Sequence, residues 1–243
     1  MVNVVCMKWG TLYGPHYVDR LYRGIARHLN RPFRFVCFTD DPSGIAKEVE
    51  CLPLPPIDLP PGFENSALRK ISLFAPTVAD LVGPALFLDL DVVIVDDVDC
   101  FFDHPGEFGI IRNWIERRKT ILRSRPRIGN SSAFRLVIGD QTQVFDEFQR
   151  DPERAITDFP TEQAYMTSLV RGLTFWPDPW CRSFKRHCVP PPPFNLVVPP
   201  RIPIGTRIVV FHGRPNPDEA AAGFRSTLHR RTLPASWIGE HWK

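Results

Sequence analysis

No stretch of this 243-residue chain reaches the roughly 20 apolar residues needed to span a bilayer. The opening "MVNVVCMKWG" has no basic segment, long apolar core or small-residue cleavage site, so no export signal is expected. Net charge is only +3, which excludes a strong field selecting an acidic or basic partner. No internal repeat and no known nucleic-acid-binding module is present. The six cysteines, at 6, 37, 51, 100, 181 and 188, are scattered and form no CxxC. Without an export signal they read as reduced thiols of a cytoplasmic protein. Cys181 and Cys188 are close enough in sequence to bridge in an oxidising compartment.

What is there is ordinary globular composition, 43% hydrophobic and 23% charged. The length suits one large α/β domain over residues 1–243. The 26 prolines cluster at 52–61 and 190–203, where apolar flanks point to extended linking segments rather than disorder. A Pro- and aromatic-rich segment at 176–206 and a C-terminal cover at 214–243 are expected within that domain.

"VNVVCM" (2–7) reads as a buried strand, and Tyr17, Leu21, Ile25 and Leu29, four apart, as the stripe of a helix over 14–29. "FRFVCFTDD" (33–41) is a second strand, so the chain opens β-α-β, the unit of a parallel sheet. A helix is expected at 65–74, capped by Asn65 or Ser66, then one strand over "ALFLDLDVVIVDD" (85–97). Strands at 107–112, 131–138 and 207–213 and helices at 140–150 and 161–173 complete the pattern. The expected fold class is α/β, with a mostly parallel central sheet flanked by helices.

The strand at 85–97 carries Asp89 and Asp91 into an apolar setting; "ALFL" leads into the pair, which is expected where that strand runs out, at the end where open α/β sheets bind ligands. Burying a carboxylate costs several kcal/mol or more unless it is paired or bound to a metal. In an extended strand the two acids share a face, about 6–7 Å apart at Cβ, with Phe87, Val93 and Val95 on the same parity. A divalent cation relieves both repulsion and desolvation, and hard oxygen ligands favour Mg²⁺ or Mn²⁺ over zinc. The alternative is a solvated acidic loop continuing through Asp96, Asp97, Asp99 and Asp103.

"FLDLDVVI" resembles the "YLDxDxxv" segment of nucleotide-sugar glycosyltransferases with the GT-A fold, in the glycogenin and bacterial galactosyltransferase (family 8-like) group. "ALRKISLFAP" resembles that group's helix whose Arg or Lys reaches the donor, and "GNSSAF" its "FNxG" segment. "TEQAY" resembles "DQD", and "VFHGRPNP" a shortened "HFxGxxKPW", with the segments in family order to about residue 217. The resemblance implies a single GT-A domain and a metal-dependent hexosyltransferase using a nucleotide-sugar donor, most simply a UDP-sugar. It implies Mn²⁺ (or Mg²⁺) on Asp89, Asp91 and His212, with Asp89 binding directly or through the donor's ribose. Lys70 would reach the donor's diphosphate or sugar, and Asn130, Glu162 and Gln163 the sugar hydroxyls. Leu90 would complete the donor-binding segment, Gly213 would let backbone approach the phosphates, and Arg214 would supply the charge lost where Asn216 replaces the family's Lys. Ser132 and Glu162 also depart from the pattern, and the first strand ends in "KWGTLYG" rather than in acids.

Each residue also has a plainer reading. Lys70 can be a solvated helix lysine, His212 a satisfied core histidine, and Glu162 and Gln163 an ordinary first helical turn. Lys8 and Tyr13 follow the first strand, where α/β sheets bind ligands; Tyr13 can stack on a base or pack in the core. Trp176 and Trp180 can stack on an acceptor sugar or serve as core and cover. The acceptor, whether saccharide, lipid-linked or protein, is left open. "RNWIERRKTILRSRPR" (112–127) holds seven basic residues against Glu116. It can draw an anionic acceptor or RNA, or seat the protein peripherally at the inner membrane face, or it can be a solvated surface. A haloacid dehalogenase-type phosphatase expects Gly-Thr after its Asp pair, where Val92 and Val93 stand here. A non-catalytic GT-A-like binding protein is the remaining alternative.

Overall fold

The computed structural model describes residues 1–114, 128–226 and 231–243. The β-branched opening run forms β1 (Val2–Lys8), parallel to β2 (Phe33–Thr39) and β4 (Pro84–Leu88), with β3 (Glu50–Leu52) parallel to β2. Beyond β4, β7 (Gly129–Val137) runs antiparallel to both β4 and β6 (Phe108–Arg112), and β8 (Leu173–Phe175) closes the edge parallel to β6. The sheet order is β3-β2-β1-β4-β7-β6-β8. A smaller sheet places β5 (Val92–Ile94) antiparallel to β10 (Ile208–Val210), with β9 (Cys181–Ser183) parallel on the other side of β10.

Strand alternation divides the interior into two layers. Val4 and Cys6 of β1 face α1 (Pro15–His28), whose Tyr17, Leu21 and Ile25, with Leu29 just beyond its end, are all buried in that layer. Pro15 stands in its first turn, where the missing N–H costs no bond. Val5 and Met7 face the other layer, built on the 3₁₀ helix Ala67–Phe74, α3 (Gln143–Arg150) and α5 (Glu162–Leu169). Between these last two lies α4 (Pro152–Asp158), and the short α2 (Asp99–Asp103) follows β5.

Several elements differ from the sequence expectation. The helix at 65–74 is 3₁₀, capped by Ser66, whose Oγ accepts from the Leu68 N–H. The helix expected over 161–173 stops at Leu169, because the chain is drawn into β8. Segment 176–206 supplies β9 to the smaller sheet, a strand that the sequence pattern did not name. Near the C-terminus, α6 (Pro217–Ala222) and α7 (Trp237–His241) dock on α1, where Tyr17 Oη donates to Asp218 at 2.8 Å and Arg20 lies 4.3 Å over the Trp242 ring. The six cysteines are free thiols, Cys181 and Cys188 included. Among the described residues no helix is long and apolar enough to cross a membrane.

One buried cation organises the loop behind β4. Arg135 of β7 is 6% exposed and donates to the carbonyls of Phe101, Phe102, His104 and Gly106. Arg135→Met would leave these acceptors without their donor, so a loss of about 3 kcal/mol is expected in urea denaturation. A loss below about 1 kcal/mol would mean that water replaces the guanidinium there.

Candidate active site

The strand expected over 85–97 is broken at the carboxylates. β4 ends at Leu88, and the Val92 N–H donates to the Asp89 carbonyl at 3.2 Å, closing a turn. Asp89 N–H still bonds Ser132 O at 2.8 Å in the main sheet, whereas Asp91 O already accepts from Phe211 N at 3.2 Å beside the smaller one. The parity argument therefore fails: Phe87 packs in the layer of the 3₁₀ helix, Val93 and Val95 in the layer of α1. The pair sits on a turn at the carboxyl end of β4, not on one strand face, because the two halves of the segment pair with different sheets.

Asp89 and Asp91 nonetheless line one cavity of about 210 Å³, together with Trp9, Tyr13, Asn65, Lys70 and Leu90. Lys70, 4% exposed, comes from the 3₁₀ helix and pairs with Asp89 at 2.7 Å. The same ammonium donates to Ser131 O at 3.2 Å and Oγ at 3.3 Å. Ser131 Oγ donates to Glu162 at 2.6 Å, and Ser131 N–H to Gln163 Oε1 at 3.3 Å. Thr161 caps α5 by accepting from Ala164 N–H, which sets Glu162 and Gln163 in the first turn, turned towards β7. Lys70, Asp89, Glu162 and Gln163 thus form one network around Ser131, a residue that the sequence reading passed over between Asn130 and Ser132. Asn130 itself turns its Oδ1 back to the Ser132 N–H at 3.2 Å.

Asp91 is held separately. Its Oδ2 accepts from Tyr13 Oη at 2.8 Å, so Tyr13 bonds a carboxylate where the sequence allowed a stacking or a core role. Burial, then the neighbouring Asp89 charge, push the Asp91 carboxyl up to about 7, against the Tyr13 hydrogen bond and Lys70. Burial and Asp91 also push the Tyr13 phenol well above its ordinary range, so it remains a donor. Two acids balanced by one bound ammonium leave excess negative charge, and their hard oxygens on an open cavity suit a hard divalent cation.

The other expected site residues lie apart. His212 follows β10 beside the turn, but its Nε2 is 2.7 Å from Ser183 Oγ and its ring stacks on Trp114 at 5.7 Å between centroids. Burial, Lys185 and Arg186 pull it down to about 4, which keeps the imidazole neutral. Among the described residues no group of three or more His, Cys, Asp or Glu is arranged to hold a metal. Lys8 donates to the Asp41 carbonyl at 3.3 Å, outside the cavity lining. Gly213 takes φ 63°, a left-handed conformation that favours glycine. Arg214 pairs with Glu219 and lines a different cavity. Trp176 is buried against Gly109 and Phe101 in the core, and Trp180 packs on Phe101, so both rings serve packing. Of the basic stretch, Arg117, Arg118 and Lys119 lie outside the described residues.

The chain has the GT-A glycosyltransferase fold. Among solved structures it is similar to the galactosyltransferase LgtC, crystallised with donor and acceptor sugar analogues, at TM-score 0.60 and 12% identity over 98% of this chain and 100% of that one. The bifunctional glycosyltransferase WbbM matches at TM-score 0.61 and 11% identity, over 89% of this chain and 46% of that one. GlyE of Streptococcus pneumoniae matches at 0.57 and 11%, over 89% and 56%. No known family's sequence profile and no curated protein matches the chain.

The Asp91 environment has a measurable signature. A carboxyl raised from its unfolded value near 4 to about 7 holds its proton in the folded state between those pH values. Its contribution to stability is present at acid pH and is lost as pH rises towards about 7. Asp91→Asn keeps the acceptor for Tyr13 and removes the charge. In metal-free buffer its thermal midpoint should gain on wild type as pH rises, levelling off above about 7. A difference independent of pH would overturn this account.

Proposed function

We propose that residues 1–243 form a glycosyltransferase that moves a sugar from a nucleoside diphosphate sugar, a UDP-sugar in the simplest case, to an acceptor. The observation that carries the reading is the Asp89–Asp91 turn, which lines a cavity at the end of β4 in a GT-A fold. Asp89 and Asp91 would hold Mn²⁺ or Mg²⁺, with His212 joining if its ring leaves Ser183. Bound there, the cation would act as a Lewis acid towards the charge gathering on the leaving diphosphate.

The chain's own residues divide the remaining work. Lys70, buried and donating, offers a fixed positive charge beside the acids for the diphosphate or sugar. Glu162 and Gln163 present acceptor and amide groups through the Ser131 network, and Asn130 lies next to it on β7, so these suit sugar hydroxyls. Tyr13 positions Asp91, while Leu90, Lys8 and Gly213 are assigned to the donor on the resemblance of their segments; Arg214 lines a separate cavity. LgtC is known to have an active-site position where glutamine was replaced by glutamate, in keeping with a working role for Gln163. The free cysteines support a cytoplasmic setting.

A second reading draws on two contacts. Lys70 already neutralises Asp89, and His212 is tied to Ser183, the arrangement expected of a binding protein that uses no metal. One experiment separates the two. A transferase should release nucleotide from at least one UDP-sugar with Mn²⁺, and Asp91→Ala should lower that rate about 100-fold or more. It should also abolish the Mn²⁺-dependent rise in thermal midpoint. Nucleotide binding without turnover, indifferent to Mn²⁺ and to Asp91→Ala, would establish the binding protein instead.

A further inference from the structure

A second cavity, of about 300 Å³, shares no lining residue with that of the acid pair and is lined by Lys185, Val189, Arg214, Pro215, Phe224, Arg231 and Thr232. Its walls come from the 184–188 turn, the loop after β10, and the hairpin of β11 (Phe224–Arg225) and β12 (Arg231–Thr232). Three features give it a ligand preference. Lys185, Arg214 and Arg231 are cationic, and no carboxylate is among the described residues lining it. Arg214 is held in place by Glu219 and by the Phe224 ring, 5.4 Å from the guanidinium carbon. Thr232 is 9% exposed, and its buried Oγ1 has no hydrogen-bond partner among the described residues. A buried hydroxyl without a partner is costly and is usually satisfied by something bound.

The hairpin is anchored, since the Asn195 amide donates to the Arg231 carbonyl at 2.8 Å. The cavity also adjoins the backbone that leads to His212: a Cβ placed on Gly213 would lie 3.5 Å from Lys185 Nζ. Donors with positive charge, a neutral hydroxyl and apolar walls at Val189, Pro215 and Phe224 match a phosphate oxyanion carried on an organic group. We propose that this cavity binds a phosphate group of the acceptor, separately from the donor's diphosphate. The word acceptor rests on the transferase reading; the oxyanion site does not.

Inorganic phosphate is the probe, titrated calorimetrically into the full chain without metal. Wild type should bind one phosphate, and Arg231→Gln and Thr232→Val should each weaken it about tenfold at unchanged thermal midpoint. Both variants should bind UDP with Mg²⁺ as wild type does, and saturating UDP should leave the phosphate titration intact. No phosphate binding, or equal binding by folded Arg231→Gln, overturns the site. Competition by UDP also overturns the proposal, by giving the cavity to the donor. If phosphate binds as expected while no UDP-sugar is turned over, the oxyanion site stands and the transferase reading alone falls.

Discussion

Where β4 ends, the chain leaves one sheet and enters another while carrying two carboxylates through the crossing. The backbone at that point is fully committed: Asp89 N–H bonds Ser132, and Asp91 O accepts from Phe211. The side chains have no such internal solution, because a buried acid and a half-buried one repel each other and lose hydration. The surrounding elements supply the answer from both layers. The 3₁₀ helix brings Lys70 to Asp89, and the segment before α1 brings Tyr13 to Asp91. The crossing therefore couples both layers of the core to one small cavity.

The coupling extends further on the α1 side. Tyr13 packs on Tyr17 at 4.8 Å, and Tyr17 on Trp242 at 4.9 Å between ring centroids, with Tyr17 also bonded to Asp218. The C-terminal segment is thus joined through aromatic contacts to the residue that orients Asp91. On the other side, Ser131 links Lys70 to Glu162 and Gln163, so β7 and α5 share the same electrostatic network. The acidic cavity and the basic one have separate linings, which suits a cation in one and an oxyanion in the other.

Much of the fold was legible because strong periods carry their own geometry. The stripe Tyr17, Leu21, Ile25, Leu29 is buried as expected, and the opening strand-helix-strand pairs in parallel. The resemblance of "FLDLDVVI" pointed to a GT-A fold, which the structure has. The errors fall where local pattern and tertiary pairing disagree. Residues 85–97 look like one apolar strand, but hydrogen-bond partners on two sheets break it at 89–91. The helical pattern over 161–173 is cut by pairing to β6, and β9 emerges from a Pro-rich segment because β10 offers it an edge.

The sequence by itself determined which groups are available: two acids after an apolar run, a lysine on a short amphipathic helix, and an acid-amide pair at a capped helix start. Those choices depend on residue type and short spacing alone. Tertiary structure decided which of them meet. Ser131 became the hub, Tyr13 the partner of Asp91, and Ser183 the present partner of His212, through contacts between segments far apart in the chain. Only the folded chain closes those distances, and burial there, with the Asp89 charge beside it, moves the Asp91 carboxyl to about 7.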